Sequence, residues 1–467
     1  EGERKVFRRL SIFAGGWSLD AAEEVCAGSG VESWEVLDLL AQLIDKSLAE
    51  VDADATALTG QPRYRMAETI RQYAREKLVD AREFAGILRR HRDRFLVWAE
   101  AAMPHLFGPE QGVWFPRFRA DHDNLRLAQS AFTTSEPDPA FRLAAAMGPF
   151  WMAHGHWSEG RSVYAALMAR TNPAPAPHLR ALVLHWAANL AECQGDLAAA
   201  RAQNEAALEI RRKLGNREET ARSLNNLGNV SQRMGDLPEA RRLREESLAI
   251  QRELGNKLDV AHTLNNLGSL AGAQGNLAEA RSFFEESLSI KREVGDRGAM
   301  GRSLNNLGSL AAMQEDWACA RAFFDEALTI QREMGDRAGV ASVLGNLGEL
   351  AMRLGDPATA QARQRERLSI LDQLGNAPSL TETVRAITLI SGMLEEPIRT
   401  ARLLGAVESL EGWVGRRDGA GPDEDVAALE ALLRRRLGDD GFTRERDRGR
   451  RLTPALAVDL ALGKREG

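Results

Sequence analysis

Ser223-Leu-Asn-Asn-Leu-Gly228, Thr263-Leu-Asn-Asn-Leu-Gly268 and Ser303-Leu-Asn-Asn-Leu-Gly308 are one pattern met three times, with a worn copy at Val343-Leu-Gly-Asn-Leu-Gly348. The copies stand 40 residues apart, and other positions keep the same period. A turn follows at Gly235-Asp236, Gly275-Asn276, Glu315-Asp316 and Gly355-Asp356, then a small residue at Ala240, Ala280, Ala320 and Ala360. Each copy closes on a stop, at Gly255-Asn256, Gly295-Asp296, Gly335-Asp336 and Gly375-Asn376. A fixed period in this range is the signature of a solenoid. Glycine after a periodic run ends a helix because it enters the left-handed region without a side-chain clash, and Asp or Asn just beyond it caps the next. Two helices of about 17 residues therefore fit each copy, each about 25 Å long.

These positions resemble the tetratricopeptide repeat. With Gly228 at the repeat's eighth position, Ala240 falls at its small twentieth, and Phe284 and Phe324 at its aromatic twenty-fourth. The extra length resembles the long-helix variety of motor light chains and polarity scaffolds. Stepping back by the period finds Gly195-Asp196 and then Gly155-His156, which makes six repeats, and a seventh is expected over Pro378–Gly415. Pro137-Asp-Pro139 marks entry to the array, and Asn172-Pro-Ala-Pro-Ala-Pro177 joins its first two repeats. One repeat cannot bury its apolar face alone, so stacking builds a continuous core and, by analogy, a concave groove.

Before the repeats the period changes. Arg4–Leu10, Leu19–Cys26 and Trp34–Lys46 read as helices, the third with an apolar stripe of Val36, Leu37, Leu40, Leu43 and Ile44. Ser47–Asp52 and Arg63–Met66 read as strands joined by a polar loop holding Gly60 and Pro62, and Glu68–Leu78 as a further helix. Three helices and a hairpin make a winged helix. The expected fold class is thus mainly α: a solenoid of six to seven helix hairpins behind a small winged-helix domain with a short β-hairpin. The expected domains are residues 1–80 (winged helix), 81–136 (helical linker), 137–416 (repeats) and 417–467 (a C-terminal helical cap).

Three blocks, Phe7–Leu19, Leu37–Leu48 and Arg63–Ala74, resemble the winged helix of bacterial STAND regulators, the NB-ARC-type signal-transduction ATPases, as does Ala120-Asp-His-Asp-Asn-Leu-Arg126 further on. The resemblance covers nearly the whole chain. It implies an ATPase domain before the winged helix, a repeat array after it, and transcriptional regulation as the output. Two departures matter. No G-x-x-x-x-G-K-[ST] phosphate cradle occurs, so no ATP hydrolysis and no cofactor are expected here, with ATP or ADP confined to a separate upstream domain. Where many relatives carry Met-His-Asp this chain has Met66-Ala67-Glu68, and alanine cannot contact a nucleotide as the histidine does. The chain also begins at Glu1 without Met, which suggests a piece of something longer.

At 467 residues the chain exceeds one compact core. Its net charge of −6 gives no whole-chain argument for nucleic acid. The third helix carries Glu35, Asp38 and Asp45 against Lys46, the wrong sign for phosphate, so direct DNA binding is not expected. Arg89-Arg90-His91-Arg92, on an amphipathic helix over Glu83–Met103, reads as a solvated face, and the basic Arg444–Arg451 as part of a solvated cap. Pro422–Leu437, Phe442–Gly449 and Pro454–Leu462 read as the cap's helices. Cys26, Cys193 and Cys319 are isolated, as reduced thiols are. No apolar run approaches the roughly 18 residues of a membrane span and no signal peptide shows, so a cytoplasmic protein without membrane partners is expected.

No enzyme is evident. His154-Gly-His156 lacks a third metal ligand nearby in sequence, and Asp121-His122-Asp123 on a helix point apart. The functional candidate is an amide ladder on each repeat's first helix, here called helix A. Arg222, Asn225, Asn226, Asn229 and Arg233 share a stripe. Their counterparts are His262, Asn265, Asn266 and Ser269, then Arg302, Asn305, Asn306 and Ser309, then Ser342, Asn346 and Glu349. An amide donates and accepts together, so such a stripe suits the backbone of a peptide or protein ligand. Alternatively, one Asn per repeat bonds a neighbouring helix and only holds the register. Two functions follow: the sensor of a STAND-type regulator, relaying occupancy through the winged helix to an ATPase domain in the same chain or in trans, or a free-standing repeat scaffold or peptide receptor.

Overall fold

The protein's computed structural model describes residues 1–106, 110–132, 136–169, 174–374, 377–394, 396–414 and 424–464. The predicted features at Asn172-Pro173, Gly375-Asn376, Gly415 and Pro422, and the expected boundary at 416/417, lie outside them. The chain divides into two compact units: residues 1–152 with 156–230, and residues 153–155 with 231–467.

The first unit opens with α1 (Gly2–Leu10), β1 (Gly16–Ser18), α2 (Leu19–Cys26), α3 (Val36–Asp45), β2 (Glu50–Val51), α4 (Ala53–Thr59), β3 (Arg63–Arg65) and α5 (Glu68–Asp80). The expected hairpin is a three-stranded antiparallel sheet of order β1-β3-β2, with Trp17 opposite Tyr64 and Val51 opposite Tyr64 on its other side. The first strand escapes a sequence reading because it is three residues long and begins in a Gly-Gly pair. Gly16 is needed there, since a Cβ would lie 2.8 Å from the Tyr64 carbonyl oxygen. The polar loop is also corrected. It folds as α4, which Asp52 caps by accepting from Ala55 N at 2.9 Å and which Gly60 ends at φ 68°. In α3, Val36, Leu40 and Leu43 are buried as expected, but Leu37 is exposed.

Next come α6 (Phe84–Ala102), α7 (Gln111–Ala120) and α8 (His122–Ala131). The basic run on α6 is not the solvated face expected. His91 packs against the Phe13 and Phe95 rings, and Arg92 pairs with Glu136 at 2.6 Å while lying over the Phe132 ring. Burial pushes the His91 imidazole down to about 4, against a hydrogen bond with Asn124.

The repeats follow as paired helices. They are α9 (Pro137–Ala153) and α10 (Trp157–Met168), α11 (Pro177–Cys193) and α12 (Leu197–Lys213), α13 (Arg217–Arg233) and α14 (Leu237–Leu254), α15 (Lys257–Ala273) and α16 (Leu277–Val294), α17 (Arg297–Met313) and α18 (Trp317–Glu333), α19 (Arg337–Arg353) and α20 (Pro357–Leu374), and α21 (Ala377–Met393) and α22 (Pro397–Val414). The boundaries fall where the glycine and Asp/Asn signals put them. Gly275 and Gly295 are left-handed, at φ 79° and 76°, and Asp296 caps α17 by accepting from Ala299 N.

Within the second unit the small eighth position lets helix B pack closely, with an aromatic ring rather than the small Ala280 or Ala320 against it. A Cβ on Gly268 would lie 2.6 Å from the Phe284 ring, and one on Gly308 2.6 Å from Phe324. The glycine of helix A thus seats the aromatic of its own helix B. We expect Gly268→Leu to cost about 1–3 kcal/mol by overpacking. Urea denaturation checks this, and an unshifted midpoint refutes the packing.

The array ends in α23 (Glu424–Arg450), interrupted at Gly438 (φ 71°, ψ 160°), and α24 (Pro454–Leu462). α22 and α23 cross in backbone contact at Gly405 and Gly449, where a Cβ on Gly449 would lie 1.9 Å from the Arg402 carbonyl oxygen. The basic run here is engaged by carboxylates. Arg446 pairs with Glu430 at 3.0 Å and with Glu408, and the buried Glu445 takes Arg402 at 2.6 Å.

Candidate partner-binding site

Helix A places the predicted residues by its own periodicity. In α15, Leu264, Leu267 and Gly268 face the core, so Asn265 and Asn266 sit half-buried at its edge and His262 and Ser269 are exposed. α17 repeats this, with Arg302 exposed and Asn305, Asn306 and Ser309 half-buried, and α19 has Asn346 half-buried with Ser342 and Glu349 exposed. In α13, Asn225, Asn226 and Asn229 are half-buried, while Arg222 and Arg233 are exposed.

The second unit turns these positions into a hydrogen-bonded ladder. Asn306 Nδ2 donates to Asn265 Oδ1 at 3.1 Å, and Asn346 Nδ2 donates to Asn305 Oδ1 at 2.9 Å. The second Asn of one repeat thus reaches back to the first Asn of the repeat before it. The oxygens of Asn265 and Asn305 are occupied, whereas their Nδ2 groups have no hydrogen-bond partner among the described residues. Ser269 and Ser309 donate to the backbone carbonyls of Asn265 and Asn305, both at 3.1 Å. The exposed Arg302 lies 3.8 Å from the half-buried Asp336. The Asn266 carbonyl oxygen accepts from the buried Arg244 at 3.1 Å. In the first unit, Asn226 Nδ2 lies 3.3 Å from His185 Nδ1, and Arg222 pairs with Glu218 and Glu219.

Beneath the ladder runs a buried polar seam that sequence reasoning missed. Lys291, 1% exposed, donates Nζ to Ser303 Oγ at 2.7 Å, and Ser303 donates on to Asn265 Oδ1 at 3.3 Å. Thr263 donates to Gln251 at 2.7 Å, and in the first unit Arg211 donates to Ser223 at 2.5 Å. The signal was available: a long polar residue near the end of helix B stands 12 residues before a hydroxyl on the next helix A in three successive periods, at Arg211/Ser223, Gln251/Thr263 and Lys291/Ser303. Burial, and then the Arg302 guanidinium, push the Lys291 ammonium down to about 8 against the pull of Asp296.

The remaining candidates disperse. Asp121 pairs with Arg63, His122 with Glu159, and Asp123 with Arg126, so the three do not converge. His156 stacks on Phe150, and no group of three or more His, Cys, Asp or Glu is placed to hold a metal among the described residues. Ala67 is exposed, and the Glu68 carboxylate is held by Arg71 and Gln72.

The Ala120–Arg126 segment has a structural part invisible in sequence. Arg63 of β3 forms a two-pronged ion pair with Asp121, both bonds 2.8 Å. Asn124 donates to Gly16 O and accepts from Ala14 N, each at 2.8 Å. The N-terminal turn of α8 thus clamps the sheet of the winged helix. Its partners are 58 to 110 residues away, beyond any local pattern.

No described helix is long and apolar enough to cross a membrane. The family described as winged helix-turn-helix domain matches residues 1–79, and that described as tetratricopeptide repeat matches 219–293 and 299–373. A provisionally named HTH-type transcriptional regulator of Mycobacterium tuberculosis is 37% identical over 172 residues, 36% of this chain and 18% of the relative. The chain spans about a fifth of the length of the curated relatives it matches. A solved STAND protein with a tetratricopeptide repeat sensor, from Pyrococcus horikoshii, is 14% identical with a TM-score of 0.49, covering 99% of this chain and 65% of that one. A Rap protein complexed with competence and sporulation factor is 10% identical with a TM-score of 0.49, covering 81% of this chain and 99% of that one. Likenesses of that degree carry no weight for function. The chain carries a winged helix-turn-helix domain followed by an array of tetratricopeptide repeats, and it is similar to mycobacterial HTH-type regulators and to a STAND protein with a repeat sensor.

Proposed function

We propose that this chain is the sensing and regulatory part of a bacterial STAND-type regulator. The helix A face receives a peptide or protein partner, and the winged helix relays its occupancy to a nucleotide-binding domain outside this sequence. ATP or ADP belongs to that domain, and the whole acts in the cytoplasm. The carrying observation is the ladder. Neighbouring amides occupy the oxygens of Asn265 and Asn305 and leave their N–H groups to a ligand's carbonyls. On this reading one side chain both holds the register, through its oxygen, and contacts the ligand, through its N–H. A relay requires the ligand to prefer one of two states, by roughly 1–3 kcal/mol.

The face of α3 supports a protein rather than a DNA partner for the winged helix. Trp34, in the turn just before α3, is 73% exposed and Leu37 46%, and Glu32, Asp38 and, at the far end of α3, Asp45 are exposed as well. An apolar patch with an acidic rim suits protein docking and repels phosphate. The relationship to a mycobacterial HTH-type regulator favours a sensor over a free-standing scaffold.

Asn265→Asp with Asn305→Asp separates the roles. Aspartate keeps the acceptor that Asn306 and Asn346 need and removes the outward donors. Peptides selected from a random display library on the wild-type chain are expected to bind the double variant at least about tenfold more weakly by calorimetry, with unfolding stability changed by less than about 0.5 kcal/mol. Equal affinity for both proteins would reject the reading. Asn306→Asp, which breaks a rung, is expected to lower stability instead.

A further inference from the structure

Among the described residues no carboxylate lies within ion-pair distance of the buried Lys291 ammonium, and its one hydrogen bond goes to Ser303 Oγ, at 2.7 Å. The neighbouring repeats do without the charge. Their residues at this position are Gln251, which accepts from Thr263 at 2.7 Å, and Gln331, for which the counterpart of Ser303 is Val343. A neutral glutamine thus suffices to hold the register, whereas a buried ammonium costs stability unless an anion answers it. Two more basic groups flank the same spot. His262 on α15 and Arg302 on α17 are exposed, and the charges of Lys291 and Arg302 both act on the imidazole. Neither side chain makes a hydrogen bond among the described residues, and the ion pair of Arg302 with Asp336 is long, at 3.8 Å. On α19 the counterpart of Arg302 is Ser342, so this positive field belongs to α15, α16 and α17.

We infer that the partner presents a carboxylate at Asn265, so that the second unit takes an acidic peptide, and that Lys291 selects it. The inference rests on the partner-binding reading and narrows it. Lys291 donates to Ser303, Ser303 donates to Asn265 Oδ1 at 3.3 Å, and Asn265 Nδ2 is left for the ligand. A cation at the head of such a chain polarises every bond after it, and the interior screens its field weakly. A carboxylate against Nδ2, with Arg302 beside it, gains more from that field than a neutral carbonyl does. The anion in turn stabilises the ammonium. Burial, and then Arg302, hold Lys291 at about 8 against the pull of Asp296. An incoming carboxylate raises that value, so binding takes up a proton above about pH 8.

The test uses the full chain and two octapeptides, acetyl-(Gly-Glu)4-amide and acetyl-(Gly-Gln)4-amide, which differ in their carboxylates. At about pH 7.5 calorimetry is expected to show the glutamate peptide binding at least about fivefold more tightly, a preference reduced to about twofold or less by about pH 9.5 as Lys291 discharges. At about pH 8.5, heats measured in Tris and in HEPPS, which ionise with different enthalpies, are expected to differ by the uptake of roughly half a proton. His262 does not interfere. Desolvation, then Lys291 and Arg302, hold its imidazole below its ordinary 6.5, so it is neutral throughout this range. Lys291→Gln, which installs the residue of the neighbouring repeats, is expected to remove the pH profile and the proton uptake without loss of stability. Equal affinity of the two peptides, no binding of either up to about 5 mM, or an unchanged pH profile in Lys291→Gln overturns the inference. The ladder reading is judged separately, by display-selected peptides on the Asn265→Asp, Asn305→Asp variant, and that contrast can hold while every effect of Lys291 fails.

Discussion

Asp121→Ala should destabilise the first unit by about 3–5 kcal/mol, the largest single effect expected in this protein. Arg63 is 4% exposed, and Asp121 meets both of its terminal nitrogens at 2.8 Å. Removing the carboxylate leaves a guanidinium charge buried with only the Ala120 carbonyl oxygen, 3.0 Å from Nη2, as company. The cost comes from that orphaned charge rather than from the ion pair's net worth, because desolvating both ions offsets most of their attraction. A second variant exposes the difference. Arg63→Met with Asp121→Leu removes both charges and should recover most of the loss. Guanidinium denaturation of the three proteins measures it. If the double variant is as unstable as Asp121→Ala, the buried charge is not the cause.

Lys291→Met should raise stability at pH 7 by about 1–2 kcal/mol, with the gain vanishing at about pH 9 and turning into a loss of about 1–2 kcal/mol by about pH 10.5. The Lys291 ammonium falls from an ordinary 10.5 to about 8 in the folded chain. Below pH 8 both states hold the proton, and the folded state carries the full penalty of a buried charge. Between about pH 8 and 10.5 the unfolded chain binds more protons than the folded one, so stability rises with pH through that window. The whole penalty is about 3 kcal/mol, at about 1.4 kcal/mol per unit, and the lost bond to Ser303 offsets part of the gain. Cys26 works in the opposite direction. Its burial pushes the thiol from 9.0 up to about 12, so stability falls as pH rises past the unfolded value. The readout is therefore the difference between wild type and variant from pH 7 to 10.5. Parallel curves would show that Lys291 is not strained.

The repeats were legible because their determinants are local and recur. Gly255 and Gly295 end helices whose length follows from the spacing, and Gly268 marks a close approach of helix B, although only the structure shows that the Phe284 ring rather than Ala280 fills the space. The edge of the sheet was not legible. β1 is three residues long, too short to show alternation, and is held by a β3 more than 40 residues away. The basic run of α6 misled for a related reason: charge in a sequence says nothing of a ring or carboxylate folded over it, and His91 and Arg92 found both. For the amides, composition and spacing put Asn265 and Asn305 at the edge of helix A's core-facing side, where they are half-buried, but left their role divided.

By itself, the amino-acid sequence determined the mainly helical class, the 40-residue period, the winged helix before it and the surface stripe of Asn residues. Each depends on contacts between residues close in the chain, where helix periodicity and turn chemistry dictate the outcome. Only the tertiary structure decided which atom of each Asn is occupied, that Lys291 lies beneath them, and that Asp121 grips Arg63. Those facts depend on which distant groups share a volume without water, and a hydrogen bond there is fixed by the neighbour that folding supplies.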